Sequence, residues 1–145
     1  GSIVEWVFSM SVDPARTLTI SINRPPAVVA AFLLEPRNLP AWAAGLGGPV
    51  RQQANEWFVT TPDGEVRIHF IEPNALGVVD HWVQVAPEVE VHVPMRVLPN
   101  ASGSEVLFTL FQPATMPAAK FAADIALVEK DLASLKRVLE LQSVA

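Results

Sequence analysis

The pattern of apolar and polar positions predicts one long helix near the end of the chain. Between residues 115 and 142, large apolar side chains recur at alternating spacings of four and three, at Phe121, Ile125, Val128, Leu132, Leu135 and Leu139. This period predicts an amphipathic helix about 40 Å long, with Thr115 as its cap and Pro117 in its first turn. Its charged residues, Asp131 among them, are expected to face water. We expect the apolar stripe to dock on a sheet; a coiled-coil dimer is the alternative.

Strand patterns and two short helices precede the long helix. Residues 17–22 alternate apolar and polar side chains and predict the first strand. Short helices are then predicted at residues 27–34 and 38–46, the first started by prolines and the second ended by glycines. Further strands are predicted at residues 50–54, 56–61, 65–71, 78–85, 89–98 and 105–111. The fold class is therefore predicted to be α+β, with a curved antiparallel sheet of about seven strands around the long helix.

The two faces of the predicted strands can be separated, because alternate side chains point to opposite sides of a sheet. With Asp63-Gly64 as a two-residue turn, Val59 is expected to pair with Ile68. The inward set is predicted to contain Trp57, Val59, Val66, Ile68, Phe70, Val79, His81, Val83, Val85, Val89, Val91, Val93, Met95, Val106, Phe108 and Leu110. The outward set is predicted to contain Phe58, His69, Asp80, Trp82, Glu90 and His92, with His69 lying across from Asp80. His81 is thus the histidine expected among apolar neighbours.

Composition and charge exclude several classes of function. The chain has 145 residues, a formal net charge of −5 and no cysteine. The lack of a basic cluster argues against nucleic acid or an anionic membrane as partner, and no apolar run approaches the length that spans a bilayer. Three histidines spread over two faces predict no metal site, and no cofactor motif is present. Residues 1–9 are interpreted as a tag or unreliable extension, residues 10–145 as a single domain, and a cytoplasmic location is expected.

Three short motifs carry a resemblance to a known superfamily. They are ISINRPP at residues 20–26, EPRNLPAW at residues 35–42 and GVVDHW at residues 77–82. With the order of elements over residues 17–142, they resemble the START-like superfamily that includes Bet v 1 and the polyketide cyclase-like SRPBCC proteins. The resemblance implies a helix-grip fold, in which the sheet curls around the long helix and leaves a deep pocket for a lipophilic ligand. The superfamily has no invariant catalytic set, so the resemblance implies no reaction.

His81 and a group of aromatic side chains are the candidate functional residues. A histidine on an apolar wall is expected to be neutral near pH 7 and to make one hydrogen bond to a ligand, or to act as a general base. Asp80 falls on the opposite face of the strand and is not expected to orient it. Trp42, Trp57, Phe70 and Phe108 are interpreted as a lining for a planar ligand, with core filling as the competing interpretation.

Three hypotheses about function follow from these residues. The first is binding of a small hydrophobic molecule, of lipid, polyketide or aromatic type, in a cavity between the sheet and the helix. Its predicted contacts are Trp42, Trp57, Ile68, Phe70, Val79, His81, Val83, Val93, Met95, Phe108, Phe121 and Ile125. The alternative is a cyclase-like or hydratase-like enzyme that uses His81 as general acid or base, and the third is a protein-interaction module. The outward aromatic residues Phe58 and Trp82 suggest a homodimer.

Overall fold

The computed structural model describes residues 11–142, so the expected extension at residues 1–9 lies outside the described residues. The strands are β1 (Ala15–Ile22), β2 (Val50–Gln53), β3 (Glu56–Thr61), β4 (Gly64–Phe70), β5 (His81–Ala86), β6 (Val89–Val93), β7 (Met95–Asn100) and β8 (Gly103–Phe111). The helices are α1 (Pro26–Leu33), α2 (Leu39–Trp42) and α3 (Ala118–Leu141), and 3-10 turns span Pro36–Asn38 and Ala44–Leu46. The predicted α+β fold, with short helices after the first strand and a long C-terminal helix, is confirmed.

The strands form a curved antiparallel layer that is divided at Pro94. Strands β2 to β6 pair in chain order, and a second sheet has the order β1-β8-β7. The predicted strand at residues 89–98 is therefore two strands, because a proline has no N–H for the ladder and bends the chain. The Val79 N–H still donates to the Met95 carbonyl at 3.1 Å across this division. Strands β6 and β7 thus act as two halves of one long strand, which explains the smaller number of strands in the prediction.

The β3–β4 hairpin has a different turn from the predicted one. The observed register pairs Trp57 with Ile68, Val59 with Val66 and Thr61 with Gly64. Pro62 and Asp63 therefore form the two-residue turn, in place of Asp63-Gly64. A shift of two residues leaves every side chain on its predicted face, because the side-chain period of a strand is two. The error in register thus does not change which residues point inward.

Helix α3 is well covered along its C-terminal half and less covered near its start. It begins after Pro117, whose extended backbone precedes the first turn, and Thr115 does not cap it as predicted. Its buried side chains are Val128, Asp131, Leu132, Leu135 and Leu139. Phe121 and Ile125 are half-buried. Within residues 11–142, neither α3 nor another helix combines the length and apolar character that a membrane crossing requires.

The second predicted short helix, at residues 38–46, is observed as α2 followed by the 3-10 turn Ala44–Leu46, and the 3-10 turn Pro36–Asn38 precedes it. The Glu35 side chain accepts a hydrogen bond from the Arg37 N–H at 3.3 Å and so starts the first of these turns. Leu39 and Trp42 are buried, and α2 packs along α3. This segment therefore covers one side of the interior between the sheet and α3.

Candidate functional site

The interior between the curved sheet and α3 is the candidate functional site. Side chains from the strands, from α2 and from α3 form one apolar cluster there. Of the predicted ligand contacts, Trp42, Ile68, Val79, His81, Val83 and Met95 are buried. Trp57, Phe70, Val93, Phe108 and Ile125 are half-buried and pack against this cluster, and Phe121 is half-buried as well. Apart from Phe121, the fold therefore brings these residues to one interior, and their contact with a ligand stays a prediction.

The interior is less covered near the start of α3. This helix packs along β1 and α2, and its backbone approaches the five-stranded sheet less closely. Phe121 and Ile125 consequently keep part of their surface exposed. Val85, Val89 and Val91 were predicted to face inward, but they are exposed, because no helix within residues 11–142 covers this end of the β5–β6 hairpin. The sheet therefore extends past the cover that α3 provides.

His81 is a neutral polar group inside the apolar wall. Its side chain is 3% exposed, and its ring stacks on Phe70 with the ring centroids 5.0 Å apart. The Nδ1 atom has no hydrogen-bond partner among residues 11–142. Burial lowers the pKa of His81 to about 4, while the Val79 backbone and the Asp80 carboxylate oppose this shift without reversing it. The imidazole is therefore neutral near pH 7, in agreement with the prediction.

Two further polar groups lie at the contact between α2 and α3. The indole Nε1 of Trp42 is buried and has no hydrogen-bond partner in the described part of the chain. Asp131 was predicted to face water, but it is buried and its Oδ1 accepts a hydrogen bond from the Ala44 N–H at 3.0 Å. Desolvation raises the pKa of Asp131, although the Ala44 N–H and Lys130 act in the opposite direction. One feature of the sequence indicates this burial. Asp131 follows Val128 by three positions, and this spacing places Asp131 beside the apolar stripe of α3.

Arg37 covers one of the half-buried aromatic residues. Its guanidinium carbon lies 4.8 Å from the centre of a Trp57 ring. This cation–π contact joins the turn before α2 to strand β3. Arg37 is exposed and was not singled out from the sequence, since its distance from Trp57 along the chain gives no sign of the contact. The Arg37 guanidinium thus covers one face of the indole, and Trp57 stays half-buried.

Asp80 was predicted on the solvent-facing side, across from His69, and this prediction is wrong. Asp80 is 5% exposed. Its Oδ1 accepts hydrogen bonds from the Met95 N–H at 2.9 Å and from the Arg96 guanidinium, and its Oδ2 lies 2.8 Å from His92 Nε2. Burial raises the pKa of Asp80, but these three partners lower it more, so the net shift is downward. Asp80 therefore holds β5 to the chain on both sides of Pro94.

The outer face of the five-stranded sheet carries a stack of three rings. His69, Trp82 and His92 lie opposite one another on β4, β5 and β6. The Trp82 ring is stacked between the two imidazoles, at centroid distances of 4.8 Å and 4.9 Å. Phe58 is likewise covered by Arg51, whose guanidinium carbon lies 4.3 Å from the ring centre. Both outward aromatic residues are therefore partly covered by their own chain, and a homodimer through them stays a prediction.

Replacing Asp80 by asparagine is expected to lower the free energy of unfolding at pH 7 by about 1–3 kcal/mol, because charge-assisted hydrogen bonds to Arg96 and His92 are lost. The folded-state pKa of Asp80 is depressed, so this contribution is present above its ordinary pKa and disappears as the pH falls through the folded value. Urea denaturation at pH 7 and pH 3 measures both effects. Asp63→Asn, in an exposed turn, is the control. A loss in Asp80→Asn no larger than in this control contradicts the role of Asp80.

Three surface concavities lie outside the candidate site. One of about 320 Å³ is bordered by α1, residues 74–77 and β7. Two others, of about 250 and 260 Å³, adjoin the β2–β3 turn and the β7–β8 turn. Neither His81 nor Trp42 lines any of the three. None of these three concavities is the predicted cavity between the sheet and α3, which stays a prediction.

Comparison with known proteins supports the fold. No protein-family model and no curated protein matches the chain. Among solved structures, the protein XoxI from Bacillus cereus matches with a TM-score of 0.68 and 16% identity, over 88% of this chain and 97% of that chain. The Aha1 dimer from Colwellia psychrerythraea matches with a TM-score of 0.65 and 16% identity, over 88% of this chain and 96% of that chain.

DynU16, from the dynemicin biosynthetic locus, matches with a TM-score of 0.65 and 19% identity, over 88% of this chain and 48% of that chain. This chain thus spans about half the length of DynU16. Identities at this level show a shared fold and nothing further. The fold that the predicted resemblance implies, a sheet that grips a long C-terminal helix, is therefore confirmed.

Proposed function

From the helix-grip architecture, we propose that the chain binds a small hydrophobic molecule with a polar oxygen, between the curved sheet and α3. The observation that carries the proposal is the pair of buried ring nitrogens, His81 Nδ1 and Trp42 Nε1, neither of which makes a hydrogen bond of good geometry within residues 11–142; the Val79 backbone interacts with the His81 ring, but too weakly to offset its burial. Buried polar groups in folded proteins are nearly always hydrogen-bonded, and leaving one unpaired costs about 1–3 kcal/mol. A ligand oxygen, alone or with ordered water, supplies the missing partner.

The chemistry of the two rings limits the polar end of the ligand. An indole N–H only donates, so Trp42 requires an acceptor such as a carbonyl or hydroxyl oxygen. The neutral imidazole of His81 donates or accepts, depending on its tautomer. A cationic ligand group is disfavoured, because it offers no acceptor to Trp42. The proposed ligand therefore carries at least one uncharged or negative oxygen.

The apolar body of the ligand is proposed to contact the half-buried side chains of the interior. These are Trp57, Phe70, Val93, Phe108, Phe121 and Ile125. Because these side chains are partly exposed, a guest can contact them. Burying their remaining apolar surface stabilises the complex by about 25 cal/mol per Å². Arg37 has to leave the face of Trp57 if the guest stacks there. Flat aromatic or polyketide-type molecules and lipid chains all satisfy these requirements.

The enzyme alternative has less support than binding. A general base works best when its pKa lies near the operating pH, whereas the pKa of His81 is about 4. Asp80 is bonded to Met95, Arg96 and His92 and offers no hydrogen bond that orients His81. The source of DynU16 in a biosynthetic locus is compatible with a small-molecule guest and does not favour catalysis over binding. We therefore propose ligand binding as the function.

The proposal predicts a preference for a ketone over the matching hydrocarbon. Fluorenone and fluorene have the same ring system and differ in one carbonyl oxygen. The chain is expected to bind fluorenone more tightly, and His81→Phe or Trp42→Phe is expected to reduce this preference by about 1–3 kcal/mol, because one donor to the oxygen is removed. Quenching of tryptophan fluorescence measures both affinities, and native mass spectrometry of the purified chain identifies any guest already bound.

His69→Phe is the matched control for this experiment, because His69 lies on the outer face of the sheet and stacks on Trp82. Its preference for fluorenone is expected to equal that of the wild type. An equal preference in all variants would remove His81 and Trp42 as polar contacts. Binding of neither probe, with no guest in the mass spectrum, would count against a ligand site of this kind.

A further inference from the structure

Strand β6 carries a row of valines that leads from the interior to the surface. Val93, Val91 and Val89 are alternate residues of β6 and therefore share one face of the sheet. Val93 lies opposite His81 on β5. Val91 lies opposite Val83 there, so the three valines belong to the face of the candidate site. These three residues are named the β6 valine row.

Exposure rises along the β6 valine row. Val93 is half-buried and packs against the apolar cluster of the interior. Val91 and Val89 are 46% and 52% exposed, although Val83 on the neighbouring strand is still buried. At about 3.3 Å per residue, the row is about 13 Å long from Val93 to Val89. Its inner end therefore lies in the candidate site, and its outer end reaches the surface.

A polar group of the proposed site lies at the inner end of this row. His81 is the residue opposite Val93, and its buried Nδ1 makes no hydrogen bond of good geometry within residues 11–142. Glu90 and His92, the polar residues of β6, point to the other face of the sheet, because they alternate with the valines. The row thus starts at a polar ring and continues with apolar side chains alone.

We propose that the ligand is an unbranched alkyl chain that ends in an oxygen group, and that its tail lies along the β6 valine row. This inference rests on the proposed function and names the class of molecule. The oxygen group lies at His81, whose neutral ring donates or accepts a hydrogen bond. The tail runs past Val93 and Val91 to Val89 and covers their exposed parts. Each CH₂ group that is fully buried in this way lowers Kd about four-fold.

The shape and the size of the row favour an alkyl chain over other guests. A polycyclic ring system is rigid, whereas an alkyl chain turns about its bonds and can follow a twisted strand. The row also has no aromatic residue on which a flat ring could stack. A protein partner is disfavoured by the area, because Val89 and Val91 offer far less than the roughly 800 Å² that each partner buries in a stable interface.

Straight-chain ketones of two lengths test this inference. Titration calorimetry measures Kd for hexan-2-one and dodecan-2-one, which share the carbonyl group and differ in the length of the tail. We expect dodecan-2-one to bind more tightly by a factor of about ten or more, because its tail reaches the exposed valines. The double variant Val89→Thr/Val91→Thr keeps the shape of both side chains but adds hydroxyl groups that the tail would strip of water. It is expected to weaken dodecan-2-one by about five-fold or more and hexan-2-one by less than about two-fold.

Leu98→Thr is the matched control, because Leu98 is a similarly exposed aliphatic residue on β7 and borders the concavity beside α1. It is expected to leave both constants within about two-fold. His81→Phe is expected to weaken both ketones by a similar factor, since it acts on the oxygen group. A double valine variant that weakens both ketones equally overturns the inference. So does a loss in Leu98→Thr as large as the loss in the double variant.

Fluorenone distinguishes a failure of this inference from a failure of the proposed function, because it carries a carbonyl group but no alkyl tail. If fluorenone binds and dodecan-2-one binds no more tightly than hexan-2-one, the alkyl chain is overturned as the ligand class and the proposed site remains. If neither fluorenone nor either ketone binds, the proposed function fails together with the inference.

Discussion

Acidification from pH 7 to pH 4 is expected to lower the free energy of unfolding by about 3 kcal/mol more in the wild-type chain than in the His81→Phe variant. Burial lowers the pKa of His81 to about 4 in the folded state, against an ordinary value of 6.5. The unfolded chain therefore takes up the proton first, and stability falls as the pH drops below the ordinary value. The loss levels out below the folded value. Urea denaturation at several pH values between 7 and 4 measures it.

The comparison with His81→Phe isolates this histidine from other titrating groups. Asp131, whose pKa is raised by desolvation, changes stability in the opposite sense on acidification, but it does so in both proteins. At pH 7 the variant is expected to be at least as stable as the wild type, because it removes a buried polar ring whose desolvation the Val79 backbone offsets only in part. Parallel pH profiles for the two proteins would show that His81 titrates normally and is not buried in solution.

Replacing Leu135 by alanine is expected to lower the free energy of unfolding by about 2–5 kcal/mol. The Leu135 side chain is 0% exposed and lies on the buried stripe of α3. The substitution removes apolar contacts and leaves a cavity that the surrounding side chains fill only in part. Equilibrium denaturation by urea, followed by circular dichroism, gives the change.

Leu127→Ala is the matched control for this prediction. Leu127 lies in the same helix but is 40% exposed, so its truncation removes less buried surface and opens no closed cavity. Its effect is expected to stay below about 1.5 kcal/mol. Equal losses in the two variants would mean that α3 does not present the side of Leu135 to the sheet in solution.

The two halves of α3 are buried to different extents, which is relevant both to stability and to the proposed binding. The buried C-terminal half, around Leu132 and Leu135, anchors the helix on β1 and α2. The N-terminal half carries Phe121 and Ile125, which are half-buried and are proposed to meet a ligand. A substitution in the first half is therefore expected to act on binding more than one in the second half, which acts on stability.

The local patterns of the sequence were sufficient for the order of the elements and for the inward face of β3 and β4. Helix α3 keeps its stripe from Val128 to Leu139, because a period of 3.6 depends only on the residues within it. His81 is buried, as its parity among valines predicted, and the α+β class follows from the order of helix and strand patterns. Even the wrong hairpin turn left Trp57 and Ile68 on the inward face, since the shift was two residues.

Contacts between distant residues decided what the patterns could not. Asp80 and Asp131 were expected in water because a charge is normally solvated, but each finds partners in another element that make its burial possible. Pro94 is visible in the sequence, but the pairing of β6 with β5 before it and of β7 with β8 after it joins distant strands, which no local period encodes. The exposure of Val89 and Val91 depends on how far α3 reaches over the sheet. These features arise from packing between elements, so only the tertiary structure could decide them.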